Sequence, residues 1–250
     1  MCGKGSSTAI VYNEISKHFN IDGVIVEEDV NKSNFIKRRI KKLGFLTVVG
    51  QIFFKILILP FLKSASKKRK KQILDDYGLN TDENYLNNEN CVVVSSINCD
   101  ECIDTLRRIN PDIVVVNGTK IISEKVLTSV NATFINMHCG ITPKYRGVHG
   151  AYWALCNKDY DNAGVTVHLV DKGIDTGGVI YQSKIEITNK DNFCTYPLLQ
   201  TAVGVKLELQ AIEDFINGKL KTIDNGLPSR LYSHPTIVQY LYYRIKNRVK

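Results

Sequence analysis

Between Val30 and Asp75 the chain has no aspartate or glutamate, although thirteen of its lysines and arginines fall there. The other 20 of the 33 basic residues are set against all 25 acidic ones, so the formal charge of +8 belongs to one segment. Charge confined in this way gives no reason to class the whole protein as a nucleic-acid binder, and the aromatic interleaving that such binding uses is sparse in the segment. Internal repeats and low-complexity linkers are absent, which excludes a solenoid or array. The seven cysteines are odd in number and mostly scattered. That argues against a disulfide framework and for reduced thiols in the cytoplasm. An apolar leader is also missing, since MCGKGSST is polar and glycine-rich, and no cleavable signal is expected.

What is present is a core-forming composition, 44% hydrophobic over 250 residues, and an ordered series of short motifs. The runs Ile113 to Val116 and Thr133 to Ile135 are bounded by polar residues, as buried parallel strands are. The second run leads into Asn136-Met137-His138, which places Asn136 and His138 on one face of an extended chain. A turn follows, Thr142-Pro143-Lys144-Tyr145-Arg146-Gly147, and then an alternating strand, VTVHLV, from Val165 to Val170. That strand runs into the glycine-rich loop Asp171-Lys172-Gly173-Ile174-Asp175-Thr176-Gly177-Gly178. Taken singly, His138 reads as a satisfied histidine beside a turn and Asp175 as a loop cap. An amide, an imidazole and a carboxylate at the carboxyl ends of parallel strands are together the parts of a site for acyl transfer.

These pieces, in this order, resemble the formyltransferases that use 10-formyltetrahydrofolate, strongly over residues 90 to 190 and weakly over the N-terminal third. The resemblance implies Asn136, His138 and Asp175 as catalytic residues. It implies a pterin held between Lys120-Ile121-Ile122-Ser123 and the loop carrying Val170, Asp171 and Gly173. It also implies a doubly wound Rossmann-like α/β sheet. The run Cys139 to Thr142 and the triplet Val148-His149-Gly150 depart from the family pattern where the acceptor amine would lie. The expected acceptor is the amino group of a nucleotide-linked amino sugar. Glycinamide ribonucleotide is the alternative, and hydrolysis of the formyl donor is a third. The segment after the catalytic region is too short for the β-barrel with which tRNA-modifying members grip tRNA, so no nucleic-acid partner is expected.

At the amino end, Gly3-Lys4-Gly5-Ser6-Ser7 is a turn into a helix whose apolar face carries Ala9, Ile10, Ile15 and Phe19. Such a turn either holds a phosphate on backbone N–H groups, making Gly5, Ser6 and Ser7 substrate contacts, or is a plain connection. Lys144, Tyr145 and Arg146 are the other candidate substrate contacts. Only Met1 and Cys2 precede the turn, where a nucleotide-binding-like fold has a full strand.

Residues 31–90 read as a helical insertion, with Leu43 to Leu62 of membrane-span length but interrupted by Gln51, Lys55 and Pro60. A helix packed in a groove, with Phe35, Phe45, Phe53, Phe54 and Phe61 in the core, is one reading. An interfacial helix drawn to an anionic membrane by its basic flanks is the other. Cys99-Asp100-Glu101-Cys102 lies at a strand-to-helix turn, where thiol-redox motifs sit, with Asn98 as a candidate cap. The two acids would raise both thiol pKa values, and without a second pair no metal centre is expected. The catalytic domain is thus expected over 1–190 and a helical extension over 191–250, with its main helix from Tyr196 to Asn217. A homodimer is expected.

Overall fold

The computed structural model describes residues 1–28 and 32–250, with the backbone alone for 32–35. Its centre is a twisted sheet built in two halves. β1 (Cys2–Gly3), β2 (Val24–Glu27) and β3 (Cys91–Val94) pair in parallel in the order β1-β2-β3. β4 (Ile113–Val116) pairs in parallel with β5 (Thr133–His138), and a later hairpin extends that half. The hairpin is β7 (Gly164–Leu169) and β8 (Val179–Lys184), both antiparallel, with β7 against β5. A short pair, β6 (Arg146–Gly147) with β9 (Leu231–Tyr232), lies apart.

The halves meet where Cys2 bridges Asn117 in parallel, with the Met1 carbonyl accepting from the Asn117 N–H at 3.0 Å. The strand order is therefore 3-2-1-4-5-7-8, and it reverses between β1 and β4. Ligands of such sheets bind outside the carboxyl ends of the strands at that reversal. β1 spans two residues, Cys2 and Gly3. Beneath it, between β2 and β4, is a cavity of about 350 Å³.

Helices cover both faces. α1 (Ser6–Ile15) and the 21-residue α9 (Tyr196–Ile216) pack Val11, Ile15, Ala211 and Ile212 on Ile135, Met137, Val165 and Val167. α6 (Asp100–Ile109) and α7 (Glu124–Leu127) bury Ile103, Leu106 and Val126 on the other face, against Ile25, Val94, Val114 and Phe134. Asn98 does not cap α6. Its side chain instead accepts from the Ser123 N–H at 2.7 Å and donates to the Ile121 carbonyl at 2.9 Å, tying two strand-end loops together.

The insertion is helical: α2 (Lys32–Leu43), α3 (Phe45–Phe53), a π turn (Phe54–Ile58), α4 (Leu59–Ala65) and α5 (Lys67–Tyr77). It packs beside α8 (Gly150–Cys156) and α10 (Ile237–Lys246) in an aromatic cluster of Phe54, Tyr152, Phe193, Tyr196 and Tyr240. Of the described phenylalanines expected in the core, Phe54 alone is buried, whereas Phe45, Phe53 and Phe61 are exposed. A single helix lying on a globule can turn only one stripe inward, here Val48, Gln51, Phe54 and Ser66. Phe35 lies outside the residues whose side chains are described.

Candidate active site

Asn136 and His138 leave β5 at its carboxyl end, and β7 lies antiparallel beside them, with Asn136 opposite His168 and His138 opposite Thr166. Together with the Asp175 loop they line a cavity of about 500 Å³. Its other walls are Asn117 to Ile122 after β4, Ser7 of α1, and Val170, Asp171 and Gly173. The sheet reversal is thus the location of this cavity.

Hydrogen bonds fix the protonation pattern. The His168 Nδ1–H donates to the Leu169 carbonyl at 2.6 Å, so Nε2 is left as an acceptor, 3.1 Å from the Asn136 amide nitrogen. Burial holds the His168 imidazole below its ordinary pKa, and it stays neutral. The Asn136 amide therefore donates one N–H to His168, and this orients its second N–H. His138 shows the complementary pattern. Its Nε2–H donates to the Tyr145 carbonyl at 2.8 Å, leaving Nδ1 facing Asp175 Oδ2 at 3.4 Å. A hydrogen bond across that gap requires a proton on Nδ1. Gly140 makes this packing possible, since a Cβ there would stand 2.3 Å from the Tyr145 oxygen and 2.7 Å from His138 Nε2.

Asp175 has a left-handed backbone, φ 52°, which aspartate tolerates better than most residues. The Thr142–Gly147 turn holds it there. The Gly147 N–H donates to Asp175 Oδ2 at 2.8 Å, and an Arg146 guanidinium N–H donates to the Ile174 carbonyl at 3.1 Å. Within the loop, Asp171 accepts from the Gly173 N–H at 2.9 Å and from the Thr176 hydroxyl at 2.7 Å.

Other candidate residues lie as follows. Tyr145 is buried with its hydroxyl donating to Asp159 at 2.8 Å, and Lys144 pairs with the same carboxylate at 2.6 Å. Neither these two nor Arg146 lines the cavity. Lys120, Ile121 and Ile122 do line it, and Ser123 does not. The Lys120 ammonium pairs with the buried Glu27 carboxylate at 2.8 Å, and that carboxylate also accepts from the Ile97 N–H at 3.0 Å. At the turn into α1, Ser7 reaches the cavity, whereas Gly5 and Ser6 do not line it.

Three histidines that line the cavity lie outside the expected site residues, although the triplet carrying His149 departs from the family pattern. His168 was visible as the one titratable residue in VTVHLV, where alternation alone cannot say which strand lies beside it. His149 and His234 touch at 2.8 Å, ring nitrogen to ring nitrogen, across 85 positions of chain. Burial pushes their pKa values down, to about 3 and about 4, with Lys55 adding to the effect on both. Both line the cavity.

Cys102 is fully buried on the inner face of α6, and burial pushes its thiol up to about 11, with Cys99 adding. Burial, and not the acidic spacer expected from the sequence, is the cause. Changing Cys99 and Cys102 together to Ala is expected to leave the turnover proposed below within about twofold, because neither cysteine lines the candidate cavity and burial keeps the Cys102 thiol protonated. Loss of turnover in a folded double variant would restore the thiol-redox alternative.

A family model described as Formyl transferase matches residues 65–197. A methionyl-tRNA formyltransferase from Thermodesulfovibrio yellowstonii is 34% identical over 120 residues, 48% of this chain and 39% of that relative. The chain thus matches about two fifths of that protein. Among solved structures, an N-formyltransferase from Helicobacter canadensis, complexed with folinic acid and dTDP-3-aminofucose, superposes with a TM-score of 0.57. It is 21% identical, covering 93% of this chain and 69% of that one. A phosphoribosylglycinamide formyltransferase from Anaplasma phagocytophilum gives 0.56 at 20% identity, covering 90% and 89%. At these identities the two structures speak for the fold.

Proposed function

The chain belongs to the formyl transferase family, and on that premise we propose that it transfers a formyl group from 10-formyltetrahydrofolate to a primary amine, the amine of a nucleotide-linked amino sugar. The observation that carries this is the convergence of Asn136, His138, His168 and Asp175 on one cavity at the sheet reversal. The donor's expected end of the cavity suits a flat heteroaromatic ring. Ile121, Ile122 and Val170 give it apolar walls, and the 170–174 loop gives it a polar rim. When bound there, the donor supplies the activated formyl carbon.

Formyl transfer to an amine requires an oxygen to carry transient negative charge, a proton to leave the amine, and a proton to reach the departing nitrogen. The free N–H of Asn136 answers the first need, because His168 has already fixed the plane of the amide. His138 assists through Nδ1, the one ring nitrogen not engaged by Tyr145. Asp175 answers the second. Its carboxylate is held by the Gly147 N–H, takes the amine proton directly or through water, and supports a proton on His138. The third need is met as that proton returns to the leaving nitrogen, so charge and protons balance over the cycle.

Support for the nucleotide sugar comes from two places. The amino end of α1 opens on the cavity at Ser7, where backbone N–H groups would favour a phosphate. The Helicobacter neighbour, for its part, was crystallised with a nucleotide amino sugar. The test is turnover of 10-formyltetrahydrofolate, followed by absorbance, against a panel of amino-sugar nucleotides, glycinamide ribonucleotide and methionyl-tRNA. Turnover with an amino-sugar nucleotide at least about tenfold above the others in kcat/KM is the expected result. Preference for glycinamide ribonucleotide or for the tRNA would overturn the acceptor assignment and leave the chemistry standing. Donor turnover without any amine would point to hydrolysis.

A further inference from the structure

The helix running from Phe45 through the π turn to Ala65 is 21 residues long, and its most apolar 18-residue stretch has a mean hydropathy of 2.1 with only 17% of it buried. Its outer face presents Leu46 at 83% exposure and Phe61 at 75%, along with the exposed Phe45, Phe53, Ile56 and Leu57. A second exposed apolar stripe lies on α10, which packs on α3 and the π turn through Tyr240 and Phe54, rings 5.1 Å apart. That stripe is Val238, Leu241, Tyr242 and Ile245, the last 81% exposed, spaced as one face of a helix. Exposed apolar surface this concentrated is a contact surface for something.

We propose that the outer face of the Phe45–Ala65 helix, together with the exposed stripe of α10, docks the protein onto an anionic lipid bilayer. Charge selects that occupant. Exposed cations bracket the apolar residues: Lys41 and Lys42 before Phe45, Lys67 and Lys68 after Ala65, and Arg244 and Lys246 on α10. No acidic residue occurs from Val30 to Leu74 or after Asp224. An apolar face edged by cations matches acyl chains beneath anionic headgroups. A second copy meeting this face about a two-fold axis would bring the same cations against themselves, which is unfavourable.

The inner face and the residues just after the helix are tied to the rest of the protein, which argues for a helix lying on the membrane and against one that spans it. The Gln51 amide donates to the His234 carbonyl at 2.7 Å. The Ser66 hydroxyl donates to Asn192 at 2.9 Å, and the Arg69 guanidinium pairs with the buried Asp191 at 2.8 Å. A helix so held lies in the interface plane. The surface carries no residue assigned to the reaction, so docking and formyl transfer fail or stand separately.

The test is flotation of the full chain with phosphatidylcholine vesicles, with and without phosphatidylglycerol, at low and high salt. Binding to the phosphatidylglycerol vesicles at low salt is expected, with release at high salt. The paired substitution Leu46→Glu and Phe61→Glu, and separately Ile245→Glu, should each lower vesicle affinity at least about tenfold. The far-UV spectrum and donor turnover should stay as in the parent. Lys41→Glu with Lys42→Glu should lower binding to anionic vesicles alone. Four outcomes overturn the proposal. The parent could ignore phosphatidylglycerol vesicles at low salt, or bind neutral vesicles equally at every salt concentration. It could leave membranes only in detergent. Or Leu46→Glu with Phe61→Glu could convert a dimer to monomers while vesicle binding persists.

Discussion

Asp175→Asn is expected to fold like the parent and to lose at least about a hundredfold in kcat for formyl transfer. Asparagine is nearly the same shape as aspartate, tolerates the left-handed φ of 52°, and still accepts the Gly147 N–H through its carbonyl oxygen. What it loses is the negative charge beside His138 Nδ1 and the ability to take a proton from the amine. Both matter only as charge moves, so KM for the donor should change by no more than about threefold while kcat falls. His138→Ala should show a comparable loss. The pair combined should lose little more than either alone, because the two act on one proton. Single-turnover kinetics at saturating donor, with unfolding curves to confirm the fold, give the answer. A folded Asp175→Asn variant with near-normal kcat would remove Asp175 from the chemistry.

The residues that could be read from sequence are those whose neighbours along the chain place them. Asn136 and His138 share a face because β-strands alternate, and β5 continues through both. Asp175 lies in a glycine-rich loop directly after a strand, as expected, but that strand is β7, which runs antiparallel to β5 and is not one of the parallel strands. The turn from Thr142 to Gly147 was read as two cations for a substrate. In three dimensions it is a clamp, with the Tyr145 carbonyl fixing His138, the Gly147 N–H fixing Asp175, and Lys144 committed to Asp159. Side-chain type announces charge, but backbone groups do much of the positioning, and they leave no mark in composition.

The same limit explains His168, His149 and His234. His168 matters because β7 folds back antiparallel on β5 with Asn136 opposite it, a register no single strand encodes. His149 and His234 meet only because the segment leading into α10 returns to the cavity through the Gln51 contact with the insertion. The insertion itself was legible as helix and as basic. Its inward stripe was not, because apolar residues lie all around the helix and periodicity selects none of them.

Glu208→Gln is expected to stabilise the protein, increasingly so as pH rises. Glu208 lies on α9 with no exposed surface, and neither carboxyl oxygen has a hydrogen-bond partner among the described residues. Burial pushes its pKa up to about 8, against a small opposing effect of the Met1 ammonium. The sign follows from linkage. In the unfolded chain the group ionises near its ordinary pKa of 4.5, whereas the folded protein keeps the proton until about 8. Stability is therefore fully present below about pH 4.5 and is lost progressively as pH rises through that window. A glutamine has nearly the same size as the neutral acid and does not ionise, so it removes the pH dependence without opening a cavity. The difference between variant and parent should be within about 1 kcal/mol at pH 5 and reach on the order of 2–3 kcal/mol at pH 7. Donor turnover should be unchanged, since Glu208 does not line the active cavity. Urea unfolding of both proteins at pH 5, 6, 7 and 8 measures the difference directly. Parallel stability curves across that range would mean that the buried carboxyl is ionised in the folded state and has found a partner for its charge.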